Sequence, residues 1–114
     1  MNDRVTNTER ELGMPLPRDL KSLYGQRDGY FSESGQWWVM WPLARLVTEN
    51  LRAHSLGLPR DLVAFGDDGT GNPFCVRVGD EPTEVLRWSW IDGAVEQSEG
   101  SVHEFIAEWC SEEP

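Results

Sequence analysis

Apolar residues recur along this chain with two periods, and the points where the period changes divide it into elements. Residues 3–12 read as a short helix that starts near Asn2 or Asp3. It closes at Leu12-Gly13, because glycine takes the left-handed conformation that ends helices at little steric cost. Pro17 opens a second helix over about 17–27, where its missing N–H removes no helical bond. Leu16, Leu20, Leu23 and Tyr24 fall on one stripe of it, and Asp28-Gly29 ends it. From Gln36 to Trp41 the period drops to two: Trp37, Val39 and Trp41 point one way, Trp38 and Met40 the other. Pro42 restores the helical period, with Leu43, Leu46, Val47 and Leu51 inward and Arg45-Glu49 paired outside. This third helix is expected to end near Ala53 or His54, before a loop over Leu56-Gly57-Leu58-Pro59.

The second half reads as strands. Leu62–Phe65 and Phe74–Val78 flank the turn-forming GDDGTGNP and predict a hairpin. Val85–Trp90 follows, with Leu86, Trp88 and Trp90 on one face, and the Asp92-Gly93 turn lets Ala94–Gln97 pair back. Ser101 to Glu104 has the spacing of a capping box, and Val102, Phe105, Ile106 and Trp109 form the last apolar stripe. The order α-α-β-α-β-β-β-β-α predicts an α+β fold: one domain over residues 1–114, a mainly antiparallel sheet and about four helices packed against it.

Size and charge narrow the function. A chain of 114 residues has room for one core. The N-terminus lacks the apolar run of a secretory leader, and no stretch approaches the roughly 20 apolar residues of a membrane helix, so a cytoplasmic protein is expected. The net charge is −10 and lies in the second half: residues 61–114 hold thirteen acids against Arg77 and Arg87. Such a surface repels nucleic acid and anionic membrane and favours a basic protein partner. Asp67, Asp68, Asp80, Glu81 and Glu84 flank two strands and are expected to gather on one sheet edge, where they would mimic phosphate spacing. Solvated loop charge is the competing reading of the same acids.

No catalytic motif is present: there is no GxSxG elbow, P-loop, HExxH or Cys-His arrangement. Glycines 66, 69 and 71 are followed by Pro73 and a strand, so no helix N-terminus is available for a phosphate. Asp67-Asp68 with Asn72 fails as a calcium loop, since the twelfth position from either Asp is Val78 or Gly79 rather than Glu. Cys75 and Cys110 read as reduced, apolar thiols, and with only His54 and His103, both expected at the surface, they do not make a zinc site. Neither a metal nor a cofactor is expected. Trp41, Trp88 and Trp109 fall on apolar stripes and read as core. Trp37 and Trp38 must face opposite sides of a strand, so one of them is a candidate binding hot spot.

Together the motifs resemble the SMI1/KNR4 family of the SUKH superfamily. The resemblance is carried by Glu9, Leu12, Gly13, Leu16, Pro17 and Gly29 in an E-x-x-L-G-x-x-L-P helix-turn arrangement, with Asp28 where the family usually has Asn. Trp41-Pro42-Leu43 with Leu46 resembles the family's strand-to-helix step. Phe65 through Val76, including Gly71 and Asn72, is similar to its central hairpin, and Phe105 to its closing helix. What the resemblance implies is a binding module without catalytic residues. Bacterial members are mostly immunity proteins that neutralise toxins, many of them nucleases or nucleic-acid deaminases; others are intracellular regulators that act through endogenous protein partners. The partner is therefore expected to be a basic toxin domain, and the chain a monomer or weak homodimer. Glu9 is expected to pin the first two helices by accepting loop amides, and recognition is expected mainly after residue 60.

Overall fold

The helix breaks read from the sequence are where the chain turns in the computed structural model, which describes residues 3–79 and 82–110. Helix α1 (Asp3–Leu12) ends at Gly13, whose N–H returns to the Glu9 carbonyl at 2.9 Å. Helix α2 (Arg18–Gln26) follows Pro17 and buries Leu20, Leu23 and Tyr24. The Glu9 carboxylate spans the elbow between them. Its Oε2 accepts the Leu16 N–H at 2.7 Å and lies 3.7 Å from Lys21 Nζ. Leu16 and Pro17 are buried beneath that contact, and Leu12 is half-buried against the core.

After α2 the chain passes through Gly29 at φ +99°, where an added Cβ would stand 2.9 Å from the Pro42 nitrogen. Only glycine fits that close approach without a backbone shift. The neighbouring Asp28 uses it: Oδ1 accepts the Leu43 N–H at 2.7 Å, at the start of α3 (Leu43–Ser55). Pro42 has no side-chain acceptor for that helix end, so a carboxylate from another element caps it and faces its positive dipole end. Asp28 Oδ2 meets Arg4 at 2.5 Å, which links α1 to the same point. Tyr24 donates its hydroxyl to the Trp41 carbonyl at 2.6 Å, and burial, with Asp28 nearby, pushes its ionisation well up.

Six antiparallel strands pair in chain order: β1 (Tyr30–Ser32), β2 (Trp37–Met40), β3 (Leu62–Asp67), β4 (Pro73–Arg77), β5 (Glu84–Ser89) and β6 (Ala94–Ser101). The β2–β3 pairing is short. Met40 registers with Gly66, and the Trp41 N–H reaches the Phe65 carbonyl at 2.8 Å. A Cβ on Gly66 would lie 1.8 Å from the Val39 carbonyl oxygen, so this crossing also requires glycine. Pro42 then carries the chain into α3, and the rest of the β3 edge would be unpaired. Asn50, 1% exposed on α3, fills the gap. Its Oδ1 accepts the Ala64 N–H and its Nδ2 donates to the Ala64 carbonyl, both at 2.8 Å. One turn on, His54 Nε2 lies 2.8 Å from the Leu62 carbonyl. The helix thus bonds to the strand as a neighbouring strand would.

Helix α4 (Val102–Trp109) is capped reciprocally: Ser101 Oγ accepts the Glu104 N–H at 3.1 Å, and Glu104 Oε1 accepts that of Ser101 at 2.9 Å. Phe105 is fully buried and stands edge-on to Phe65 and Phe74, with Trp109 against Phe74. The fold class is the expected one, four helices with an antiparallel sheet. No helix among the described residues is long and apolar enough to cross a membrane.

The differences are instructive. The buried stripe of α3 is Leu43, Leu46, Asn50 and Ala53, while Leu51 is 65% exposed. The helix is rotated toward the residue that can satisfy the β3 edge rather than toward the larger apolar one. His54, expected at the surface, is half-buried for the same reason. Strand β1 has only three residues, too few to show a period, and the last strand runs to Ser101 rather than Gln97.

Asn50→Leu keeps the volume but leaves both Ala64 backbone groups unpaired, and is expected to lower stability by about 2–4 kcal/mol. His54→Ala frees one carbonyl, that of Leu62, at a helix end that is itself half-buried, and should lose about 1 kcal/mol. Urea unfolding midpoints of the two variants measure this, and equal losses would refute the clamp.

Candidate functional site

Residues 67–72 turn β3 into β4 and hold themselves together. Asp67 Oδ1 accepts the Gly69 N–H at 2.6 Å and the Gly71 N–H at 3.4 Å. Asp68 Oδ1 accepts from Thr70 N at 2.8 Å, Thr70 Oγ1 at 2.6 Å and Asn72 N at 3.3 Å. Aspartates that bond amides two residues ahead make tight turns without help from a partner. Two tryptophans brace the loop from outside. Trp37 Nε1 donates to the Asp67 carbonyl at 2.8 Å, and Trp90 Nε1 to the Gly71 carbonyl at 3.0 Å. Asn72 Oδ1 accepts the Trp90 N–H at 3.3 Å.

Arg87 anchors the loop to the sheet. Its guanidinium lies 3.4 Å from Asp68 Oδ2, 3.3 Å from Glu99 and 3.8 Å from Glu96. Two register irregularities make this convergence. The pairing of β5 with β6 skips Glu99 and then Glu96, so each is the extra residue of a bulge. Trp109 closes the cluster, 5.8 Å from the Arg87 guanidinium, with its Nε1 donating to Glu99 at 3.1 Å. The Asp68 and Glu99 side chains are 5% and 3% exposed, so these charges serve the interior.

Between the loop and α3 lies a cavity of about 220 Å³, bounded by Trp41, Glu49, Arg52, Leu56, Asp67 and Trp90. Beside it, sharing Trp41, Glu49, Arg52 and Asp67, lies a trough of about 360 Å³ bordered by Trp37, Trp38 and Phe31. Trp38 stands edge-on to Phe31, with ring centroids 5.2 Å apart. Arg45 pairs with Glu49 at 2.8 Å and lies 5.9 Å from the Trp41 ring. Asp67 is half-buried at the junction. Burial holds its carboxyl above the ordinary aspartate range, the Gly69 and Gly71 amides oppose that, and Asp68 and Glu49 add to it.

Of the expected acidic patch, the described members Asp67, Asp68 and Glu84 do not share one place on the sheet. Asp67 and Asp68 turn inward to build the loop, whereas Glu84 stands at the start of β5, the other end of the sheet, accepting from Ser98 Oγ at 2.5 Å. Asp80 and Glu81 lie outside the described residues. Trp37 and Trp38 are both half-buried and both border the trough. Gly71 and Asn72 sit at the Trp90 end of the loop. Glu49, Arg52 and Leu56 escaped the sequence reading as site residues, although with Arg45 they fall at i, i+4, i+7 and i+11, one helical face. No group of three or more metal-ligating side chains occurs among the described residues. Both cysteines are free and buried, and burial pushes the Cys110 thiol up to about 11 and that of Cys75 higher still.

The sequence model of the SMI1 / KNR4 family (SUKH-1) matches residues 2–108. The chain belongs to the SMI1/KNR4 family. Neither a curated protein nor a solved structure matches it. The match takes in α1, all six strands, the 67–72 loop and all but the last residue of α4. Membership in SMI1/KNR4 supports a protein-interaction or immunity-type role and a protein partner, in a family whose domains are generally non-catalytic.

Asp67 has a raised folded-state pKa, so its ionisation opposes folding. That penalty is absent below the unfolded aspartate value of about 4 and complete above the folded one. Asp67→Asn keeps an acceptor for the loop amides and is expected to melt higher than wild type at pH 7. The gap should close as the pH falls below about 4, and thermal melts across pH 3–7, about the aspartate range, test this. A variant less stable at every pH would refute it.

Proposed function

We propose that this SMI1/KNR4 domain is a cytoplasmic bacterial immunity protein that binds and occludes a cognate toxin domain, of the nuclease or nucleic-acid deaminase class, without catalysis. The observation that carries this reading is the braced groove. Trp37, Trp90 and the 67–72 loop are fixed to one another before any partner arrives, and a pre-ordered aromatic surface loses little entropy on binding. The net charge of −10 supports a basic partner, attracted over a distance by the protein's surplus of carboxylates.

The gene is expected to lie directly downstream of one for a secreted protein with a toxin domain, and co-expression with that domain is expected to restore growth and yield a stable complex. The association rate should fall about tenfold or more between low and high salt. Failure to rescue, together with a stable housekeeping partner recovered from a toxin-free host, would replace this reading with a regulatory interaction domain.

A further inference from the structure

We propose that the cavity between α3 and the 67–72 loop receives one cationic side chain, an arginine or a lysine, of the protein partner. The inference rests on the binding-module reading above and adds the chemistry of its central contact. At about 220 Å³ the cavity is smaller than the 300–1,000 Å³ usual for small-molecule sites, and suits a single inserted side chain. Its apolar lining comes from Trp41 and Trp90 with Ala53, Leu56 and Pro73, beside the charged Glu49, Arg52 and Asp67. Aromatic faces attract cations and accept the apolar stem of arginine or lysine.

The charges point the same way. Asp67 Oδ1 is committed to the Gly69 and Gly71 amides, whereas Oδ2 has no hydrogen-bond partner among the described residues and is not sealed from solvent. A half-buried carboxylate with one oxygen held and the other open is an acceptor positioned for a donor from outside. A cation there would also relieve the repulsion that Asp67 feels from Glu49 and Asp68. Arg45 does not supply that cation, because it is engaged with Glu49 and the Trp41 ring. Arg52 borders the cavity but makes no ion pair within 4 Å among the described residues. It is the local charge that a guest cation must pass.

The test titrates the full chain with acetyl-arginine amide and follows the tryptophan indole N–H resonances. The Trp90 and Trp41 indoles should shift and saturate with a Kd near 1 mM, as befits one side chain. Acetyl-norleucine amide, with a similar stem and no charge, should give no saturable shift. Asp67→Asn should weaken arginine binding about tenfold. Arg52→Gln should strengthen it, a change of opposite sign that general loosening of the fold would not produce. No saturable shift with arginine, equal response to norleucine, tighter binding of acetyl-glutamate amide, or an unchanged Kd in Asp67→Asn would each overturn the proposal. Its failure is separable from that of the immunity reading. Toxin rescue by Asp67→Asn with wild-type affinity would remove the cavity's role alone, and arginine binding without toxin rescue would remove the immunity assignment alone.

Discussion

Everything on the α3 side of this domain depends on how the open edge of β3 is closed. Pro42 takes β2 out of the sheet after a few residues, and a central strand cannot keep a bare N–H and carbonyl in a dry interior. Asn50 supplies both a donor and an acceptor from one side chain, a role no apolar residue can fill. The rotation of α3 follows from that bond. Leu51 turns out to water, Ala53 turns in, and Arg45, Glu49, Arg52 and Leu56 come to face the 67–72 loop. Asp28 holds the other end of the helix by its first amide and ties it to α1 through Arg4. The groove is therefore the space left between a helix that must sit where Asn50 requires and a loop that must sit where Arg87 requires.

Local sequence carried the elements well and their mutual placement less well. Gly13, Pro17, Gly29, Pro42 and the Ser101–Glu104 box are backbone signals, and a backbone signal acts within a few residues of itself. On α3, periodicity ranks Leu51 above Asn50, whereas the need for Asn50 arises from a strand fourteen residues away. The two bulges of β6 left no trace in the sequence, since Glu96 and Glu99 resemble ordinary exposed strand acids until Arg87 draws them in. The same long-range pairing explains why Asp68 serves the interior instead of joining Glu84. Charge composition records how many carboxylates a chain has, and not which of them are spent on loop amides or a buried guanidinium.

For recognition, the division of labour between field and contact is informative. The surplus negative charge acts over a Debye length and bears on how fast a basic partner arrives. The tryptophans act on contact and bear on how long it stays. In this domain the two meet at the groove: Asp68 is internal, while Asp67 and Glu49 border the same trough as the half-buried rings.

The Arg87 cluster has a further consequence for how such a surface can diversify. The 67–72 loop is gripped at its two ends, by Trp37 at Asp67 and by Trp90 at Gly71 and Asn72, and from beneath at Asp68. Its crown is exposed: Gly69, at φ +92°, stands against the Trp37 ring, where an added Cβ would lie 3.2 Å away, and Thr70 bonds to Asp68. A lineage can thus exchange Thr70, and with it the shape offered to a changing opponent, while Gly69 and the foundation that folds the domain stay untouched.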